Sequence, residues 1–551
     1  MFWLVFLVSV VSVAEDWPDR EGRMTQVVQW ARFEAQFTSS ADYGNPVQDV
    51  QFEVDFTAPS GRKQTIPGFW DGGRTWKVRF SPDETGKWTY RSRCSLEADA
   101  GLSNRAGEFN CIPYSGDNPL YRHGTVSLSE NRRYLIYSDG TPFFWLSDTA
   151  WNGALLSDEE DWEAYLKDRV AKGFTAIQFV TTQWRAATGD ADGRLAFTGK
   201  DRIQINPAFY QRMDQRINTL NDFGLVAAPV LLWTCTSVDP GLTLPDDQLI
   251  ALARYMVARY GSHHVIWILG GDGNYKGERA ERWRKIGRVA FGSHPSRLAT
   301  MHPGGCSWVA DEFRNEPWFS FNGYQSGHGD NADTLRWLCE GPPSRDWGKE
   351  PHHPVINLEP NYEAHRAYHS KRPHDAHAVR RAAYWSLLVS PPAGVTYGAH
   401  GIWSWQLEPG EPMDHKGTGI APTWYEAMDL PGSTSMKHLK DLFSSVEWWK
   451  LLPAPELLVQ QPGVGDPRRF VAVAKAEDDS WAMAYMPEGT TITLRTDLLK
   501  GRISARWFNP RTGEWSDSIG DEMGKEGSRI GDGKFTPADN NDWVLWIGAS
   551  E

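Results

Sequence analysis

The sequence predicts an α/β chain: a (β/α)8 barrel flanked by an N-terminal and a C-terminal β-sandwich. Three observations carry that prediction. Between Pro142 and about Ser445, short apolar runs alternate with helix-length amphipathic segments, eight times over, which is the pattern of parallel strands joined by crossover helices. Two of the runs end in an acid: Val355-Ile356-Asn357-Leu358 runs into Glu359, and Val265-Ile266-Trp267-Ile268-Leu269 runs through Gly270-Gly271 into Asp272. The interval between these acids covers about three units of ~31 residues, so they fall on strands four and seven of one barrel. Outside this segment the period drops to two, as in half-buried antiparallel strands.

Each element follows from its residues. Alternation in Gln51–Phe56 and Trp76–Phe80, with turn residues at Pro59-Ser60-Gly61 and Asp71-Gly72-Gly73, predicts an N-terminal sandwich over residues 15–112. Tyr114–Gly140 is rich in Gly, Asn, Asp and Ser and reads as a linker and barrel cap. The barrel domain, 113–446, then opens on Pro142–Trp151 as strand one. Helix Asp158–Lys172 stops at Gly173. Strand Ala176–Val180, helix Phe209–Phe223, strand Leu225–Leu232 and helix Asp246–Tyr260 follow. After the Asp272 strand come helix Glu278–Phe291 and two strands, Arg297–Met301 and Trp318–Asn322. Helix Asp330–Leu338, the Glu359 strand, helix Ala376–Ser390 and strand Gly394–Tyr397 complete the series. Beyond Trp448, runs such as Phe470–Ala474 and Ser480–Tyr485 return to β and define 447–551 as the second sandwich.

Composition narrows the function. A net charge of −13 over 551 residues, without a long basic run, argues against nucleic acid as a partner. Met1–Ala14 is apolar, too short to span a bilayer and closes on Ser-Val-Ala, which predicts a cleaved signal peptide, a secreted or periplasmic enzyme and no membrane span in the mature chain. Twenty-eight Trp and an aromatic share of 13% suit a ligand with flat apolar faces, such as an oligosaccharide or polysaccharide, although sandwich cores account for many of them. The five cysteines lack metal-ligand spacing, and neither a metal nor a cofactor is expected. Cys94 and Cys111 flank a turn-rich segment, and the sequence leaves open whether they pair. Cys235, Cys306 and Cys339 read as buried apolar residues.

The stretch from Pro67-Gly68-Phe69-Trp70-Asp71-Gly72 through Trp88-Thr89-Tyr90 resembles the immunoglobulin-like module that precedes many apiosidase-like glycoside hydrolases (family 140-like). Pro142–Trp151 is similar to the opening motif of their barrel, and the segment after Trp448 is similar to the collagen-binding-type sandwich that closes their chains. The resemblance covers nearly the whole mature chain in the same domain order. It implies a retaining glycosidase with Asp272 as acid/base and Glu359 as nucleophile, and apiose in complex pectin as the most direct substrate. Leu358-Glu359-Pro360-Asn361 stands where Gly-Glu-Pro-Met is expected, which bears on the sugar more than on the chemistry.

The chemistry needs such a pair on its own terms. One carboxyl protonates the leaving oxygen while the other attacks the anomeric carbon, about 5–5.5 Å apart for retention. An ionised Glu359 would raise the pKa of Asp272 and keep it protonated. Asp148, Trp151, Gln183, Trp233, His302, Gln325, His328 and Trp403 fall at predicted strand exits and are candidates to bind sugar hydroxyls or stack on a ring. Glu363, Glu340 and Glu408 are spare acids near the same rim. His263-His264 and His352-His353 are adjacent pairs whose side chains diverge, which suits packing better than metal binding. A non-catalytic carbohydrate-binding protein is the alternative, but it would not need both acids. A protease is disfavoured because His-Glu-x-x-His and a serine elbow are absent.

Overall fold

A computed structural model describes residues 24–292, 298–501, 503–517 and 533–549; the predicted signal segment lies outside them. The chain divides into two compact units, one running to Asp117 and taking in Ala258–Ser262, the other holding the remainder from Asn118 onward.

In the first unit, a five-stranded sheet runs Gln26–Val28, Ala106–Ile112, Gly86–Cys94, Phe52–Thr57, Lys63–Pro67. A three-stranded sheet is formed by Phe33–Thr38, Thr75–Phe80 and Phe69–Gly72. Alternate residues of both close on a shared aromatic core, in which Phe33 stacks on Phe109 at 4.1 Å and Phe56 on Phe80 at 4.2 Å. Trp88 is fully buried there. Cys94 and Cys111 are free and buried. The register explains why: Cys111 pairs with Gly86, the far end of the strand that finishes at Cys94, about 27 Å away along the chain.

The second unit is built on an eight-stranded parallel sheet. In chain order its strands are Trp145–Thr149, Ala176–Val180, Val226–Trp233, Trp267–Gly273, Ala299–Pro303, Asn322–Gln325, Val355–Glu359 and Gly394–Tyr397, hereafter strands one to eight. They pair in the order 5-4-3-2-1-8-7-6, and a parallel bridge between Ala299 and Phe319 draws strands five and six together, so the barrel is nearly closed. Capping fixes the helix starts: the side chains of Asp158, Asn206, Asn331 and Asp375 each accept a backbone N–H of the first turn. Strand six lies later than the sequence predicts. Trp318, Phe319 and Phe321 resemble a strand, but they are core residues of the approach to it, and pairing with strand seven begins only at Asn322. The expected linker holds a helix, Pro119–His123, and a small antiparallel sheet of Val126–Leu128, Leu135–Tyr137 and Pro142–Phe143.

The C-terminal sheet packs directly on the barrel helix Ala376–Leu388. Arg380 makes a buried, two-pronged ion pair with Asp542 at 2.8 and 3.0 Å, Tyr384 stacks on Tyr485 at 4.6 Å, and the Trp385 indole donates to the Phe470 carbonyl at 2.9 Å.

Candidate active site

Parallel strands deliver their final residues to one end of a barrel, and Asp272 and Glu359 stand at that end of strands four and seven. Glu359 is buried, with an imidazole beside each of its oxygens. The His328 Nε2–H donates to Oε1 at 2.9 Å, and the tautomer is set because Nδ1 accepts the Tyr362 backbone N–H at 3.3 Å. His302 Nε2 lies 3.3 Å from Oε2. Burial alone would raise the Glu359 pKa, but hydrogen bonding by these two imidazoles outweighs it and holds the carboxyl well below the usual range.

Asp272 is the opposite case. Burial, then the negative charge of Glu359, hold its carboxyl above the usual range, against the opposing pull of His302 and Arg185. The Arg185 guanidinium is 4.0 Å from Asp272 Oδ2. The Cys235 thiol, pushed up to about 12 by desolvation of the sulfur and by the charge of Asp272, stays protonated beside it.

The backbone explains how Asp272 comes to be presented. Strand four loses register with strand five on either side of Gly271, and Asp272 has φ 49°, a left-handed conformation uncommon outside glycine. This bulge turns the carboxyl out of the strand's alternation. A Cβ on Gly271 would overlap the Trp233 ring and Val230, and one on Gly273 would overlap Tyr275. Gly271→Ala is therefore expected to displace Asp272, lowering kcat/KM by about 10²-fold and stability by about 1–3 kcal/mol. Wild-type kinetics in the variant would show that the bulge tolerates a side chain.

The other sequence candidates divide. His302 and His328 meet Glu359, as above. Trp151 and Trp233 lie beside them but are each only 2% exposed. Their faces are occupied by one another at 5.2 Å, by Trp184 at 4.4 Å from Trp233, and by His302 at 5.4 Å from Trp151, so they pack beneath the site and do not form open platforms. Trp403 is likewise buried, donating to His400 Nδ1 at 3.1 Å with its ring 4.6 Å from His415. Gln325 pairs with Glu359 beyond a register shift at Tyr324, and its carbonyl accepts the Cys306 N–H at 2.8 Å. The Gln183 amide is occupied by its own loop, donating to Phe197 O at 3.0 Å and accepting from Ala196 N at 2.9 Å.

Asp148 is a correction. It is fully buried and faces the helix layer, accepting from Arg169 Nε at 2.6 Å and Tyr165 OH at 2.7 Å, so it cannot reach a sugar. Among the spare acids, Glu363 is buried and committed to the Tyr397 hydroxyl at 2.6 Å and the Gly432 N–H, while Glu340 and Glu408 are exposed. Cys235 is exposed and Cys306 half-buried, in contrast to the buried positions expected.

Sequence reasoning missed Arg185, Cys235, Tyr362 and His415. Tyr362 accepts from the Trp151 indole at 3.1 Å, and burial and the Glu359 charge hold its hydroxyl proton firmly. Its signal was its place three residues beyond Glu359. Arg185 sits just past the strand-two exit and had the same signal; His415 lies in a long loop with none. Among the described residues no group of three or more His, Cys, Asp or Glu is placed to hold a metal ion.

A nearly closed parallel barrel with two oppositely biased acids on the ends of strands four and seven is the frame of a glycoside hydrolase. The chain belongs to the family described as "Apiosidase-like, catalytic domain", whose model matches residues 129–450. "Domain of unknown function (DUF5060)" matches 26–95, and "Putative collagen-binding domain of a collagenase" matches 452–548. A solved structure titled "Glycoside hydrolase" is 25% identical, with 79% of this chain and 99% of that one covered at a TM-score of 0.68. A family 5 glycoside hydrolase from Bacteroides vulgatus ATCC 8482 is 23% identical, covering 78% and 94% at 0.67. A second structure from that organism, titled "putative glycoside hydrolase", is 20% identical, covering 96% and 100% at 0.71. Comparison with curated proteins finds no match. The protein is a glycosidase.

Proposed function

We propose that this glycosidase retains anomeric configuration, with Glu359 as nucleophile and Asp272 as acid/base. The observation that carries the reading is the opposite bias of the two acids. The Glu359 pKa is lowered by the imidazoles of His302 and His328, which favours the ionised form, and that of Asp272 is raised by burial and by the Glu359 charge, which favours the protonated form. In the first step a Glu359 oxygen bonds to the anomeric carbon, the glycosidic C–O bond breaks, and the Asp272 proton passes to the leaving oxygen. In the second, water attacks that carbon, its proton passes to Asp272, and the bond to Glu359 breaks.

The substrate class is a glycoside within plant or algal polysaccharide fragments, apiosides first, as the family description suggests. The apolar Met1–Ala14 leader supports action outside the cytoplasm. Trapping with an activated substrate whose glycosyl-enzyme turns over slowly, followed by peptide mass mapping, should place the label on Glu359. A label on Glu363 or Glu340, or inverted product, would refute the assignment.

A further inference from the structure

Arg185 has an unusual set of neighbours for a cation in a carboxylate-bearing site. Its backbone N–H is tied to Asp239 Oδ1 at 3.0 Å, and Asp239 Oδ2 in turn accepts the backbone N–H groups of Cys235 at 2.9 Å and Thr236 at 2.5 Å. That buried carboxylate thus fastens the loop after strand two to the loop after strand three. At the other end of the side chain, Arg185 Nη2 lies 2.7 Å from His415 Nε2, on the long loop after strand eight. His415 Nδ1 is 2.8 Å from the Met413 carbonyl and must donate to it, which leaves Nε2 bare to accept from the guanidinium. A protonated His415 would set N–H against N–H. Burial and the Arg185 charge push the His415 pKa down to about 4, so the acceptor form persists. The imidazole is further fixed by the rings of Trp403 at 4.6 Å and Trp184 at 6.2 Å.

The guanidinium is therefore anchored by a neutral partner, and the carboxyl it faces at 4.0 Å is Asp272. We propose that Arg185 is a positioning residue for the acid/base cycle: held by His415 and Asp239, it steadies Asp272 as a carboxylate after the proton has gone to the leaving group. The inference rests on the acid/base reading of Asp272. The other groups that bear on Asp272 are Glu359 on strand seven, His302 on strand five, Cys235 on the loop after strand three and Tyr368 on the loop after strand seven. Of these, Glu359 loses its charge when it bonds to the sugar. From that point burial is what remains against an ionised Asp272, and Arg185 opposes it together with His302. Its effect thus falls mainly on the second step, in which Asp272 must accept a proton from water.

The test is Arg185→Met, with Arg185→Lys as the conservative variant, on an activated aryl glycoside whose second step limits turnover. In Arg185→Met, kcat and KM should fall together, kcat by on the order of tenfold, because the glycosyl-enzyme accumulates. Azide, which attacks without a general base, should restore turnover. Loss of the cation also favours protonated Asp272, so the alkaline limb of kcat/KM should move upward, and Arg185→Lys should recover part of both effects. His415→Phe keeps a ring against Trp403 but removes the acceptor, and should shift the limb the same way by less. A raised KM with kcat and the pH limb unmoved would overturn the inference and make Arg185 a substrate-binding or loop residue. Asp272→Ala separates the two readings. Azide rescue there with an unmoved limb in Arg185→Met refutes the inference alone, whereas no rescue in Asp272→Ala refutes the acid/base assignment beneath it.

Discussion

Glu359→Ala should lose activity on every glycoside, activated or natural, by on the order of 10⁴-fold or more, about 5 kcal/mol of barrier. The attacking group is needed whatever the leaving group, and no neighbour can replace it: Glu363 is occupied by Tyr397 and Gly432. Asp272→Ala should behave differently. Protonation matters most for a poor leaving group, so this variant should keep far more activity on an activated aryl glycoside than on an oligosaccharide, and azide should speed turnover of its intermediate. Thermal melts should show both variants folded, since each carboxyl lies at a strand end with the barrel hydrogen bonds intact behind it. Equal losses on both substrates in Asp272→Ala would exclude Asp272 as the acid and turn attention to Glu408 on the exposed loop after strand eight.

The barrel was legible because two local signals agree at several of its helices. The apolar period gives the face, and at Asp158 and Asp375 a capping side chain gives the start, so helices Glu159–Ala171 and Ala376–Leu388 begin where the sequence places them. Strand six was harder, because a buried aromatic approach has the composition of a strand and differs only in what it pairs with, which depends on distant residues. The two acids were legible for a related reason: a carboxylate or Gly-Gly closing a short apolar run is conspicuous in the sequence itself. His302 and His328 shared that position at strand exits. Arg185 and His415 come from loops whose conformation is set by Asp239, by the Met413 carbonyl and by aromatic packing, and no period in the sequence records such contacts.

Asp148 shows how a strand-exit rule can fail by one residue. Successive side chains on a barrel strand alternate between the interior and the helix layer. Next to Asp148, Thr149 faces inward, its hydroxyl 3.4 Å from Gln178 Nε2 on strand two, whereas Asp148 faces outward to Arg169 and Tyr165 on the first long helix. Both charged partners are fully buried. Asp148→Ala should therefore cost stability, about 3–5 kcal/mol, because it strands the Arg169 guanidinium in the helix layer without its anion. Arg169 keeps Asp168 at 2.7 Å, which places the loss toward the lower end of that range. Asp148→Asn retains the hydrogen-bonding shape without the charge and should lose less. Adding Arg169→Met to Asp148→Ala should recover part of the loss, since the pair is coupled and an apolar chain tolerates the site. Denaturant midpoints measure all three, and KM for the folded fraction should stay at the wild-type value. An Asp148→Ala protein with unchanged stability and a raised KM would return Asp148 to the substrate.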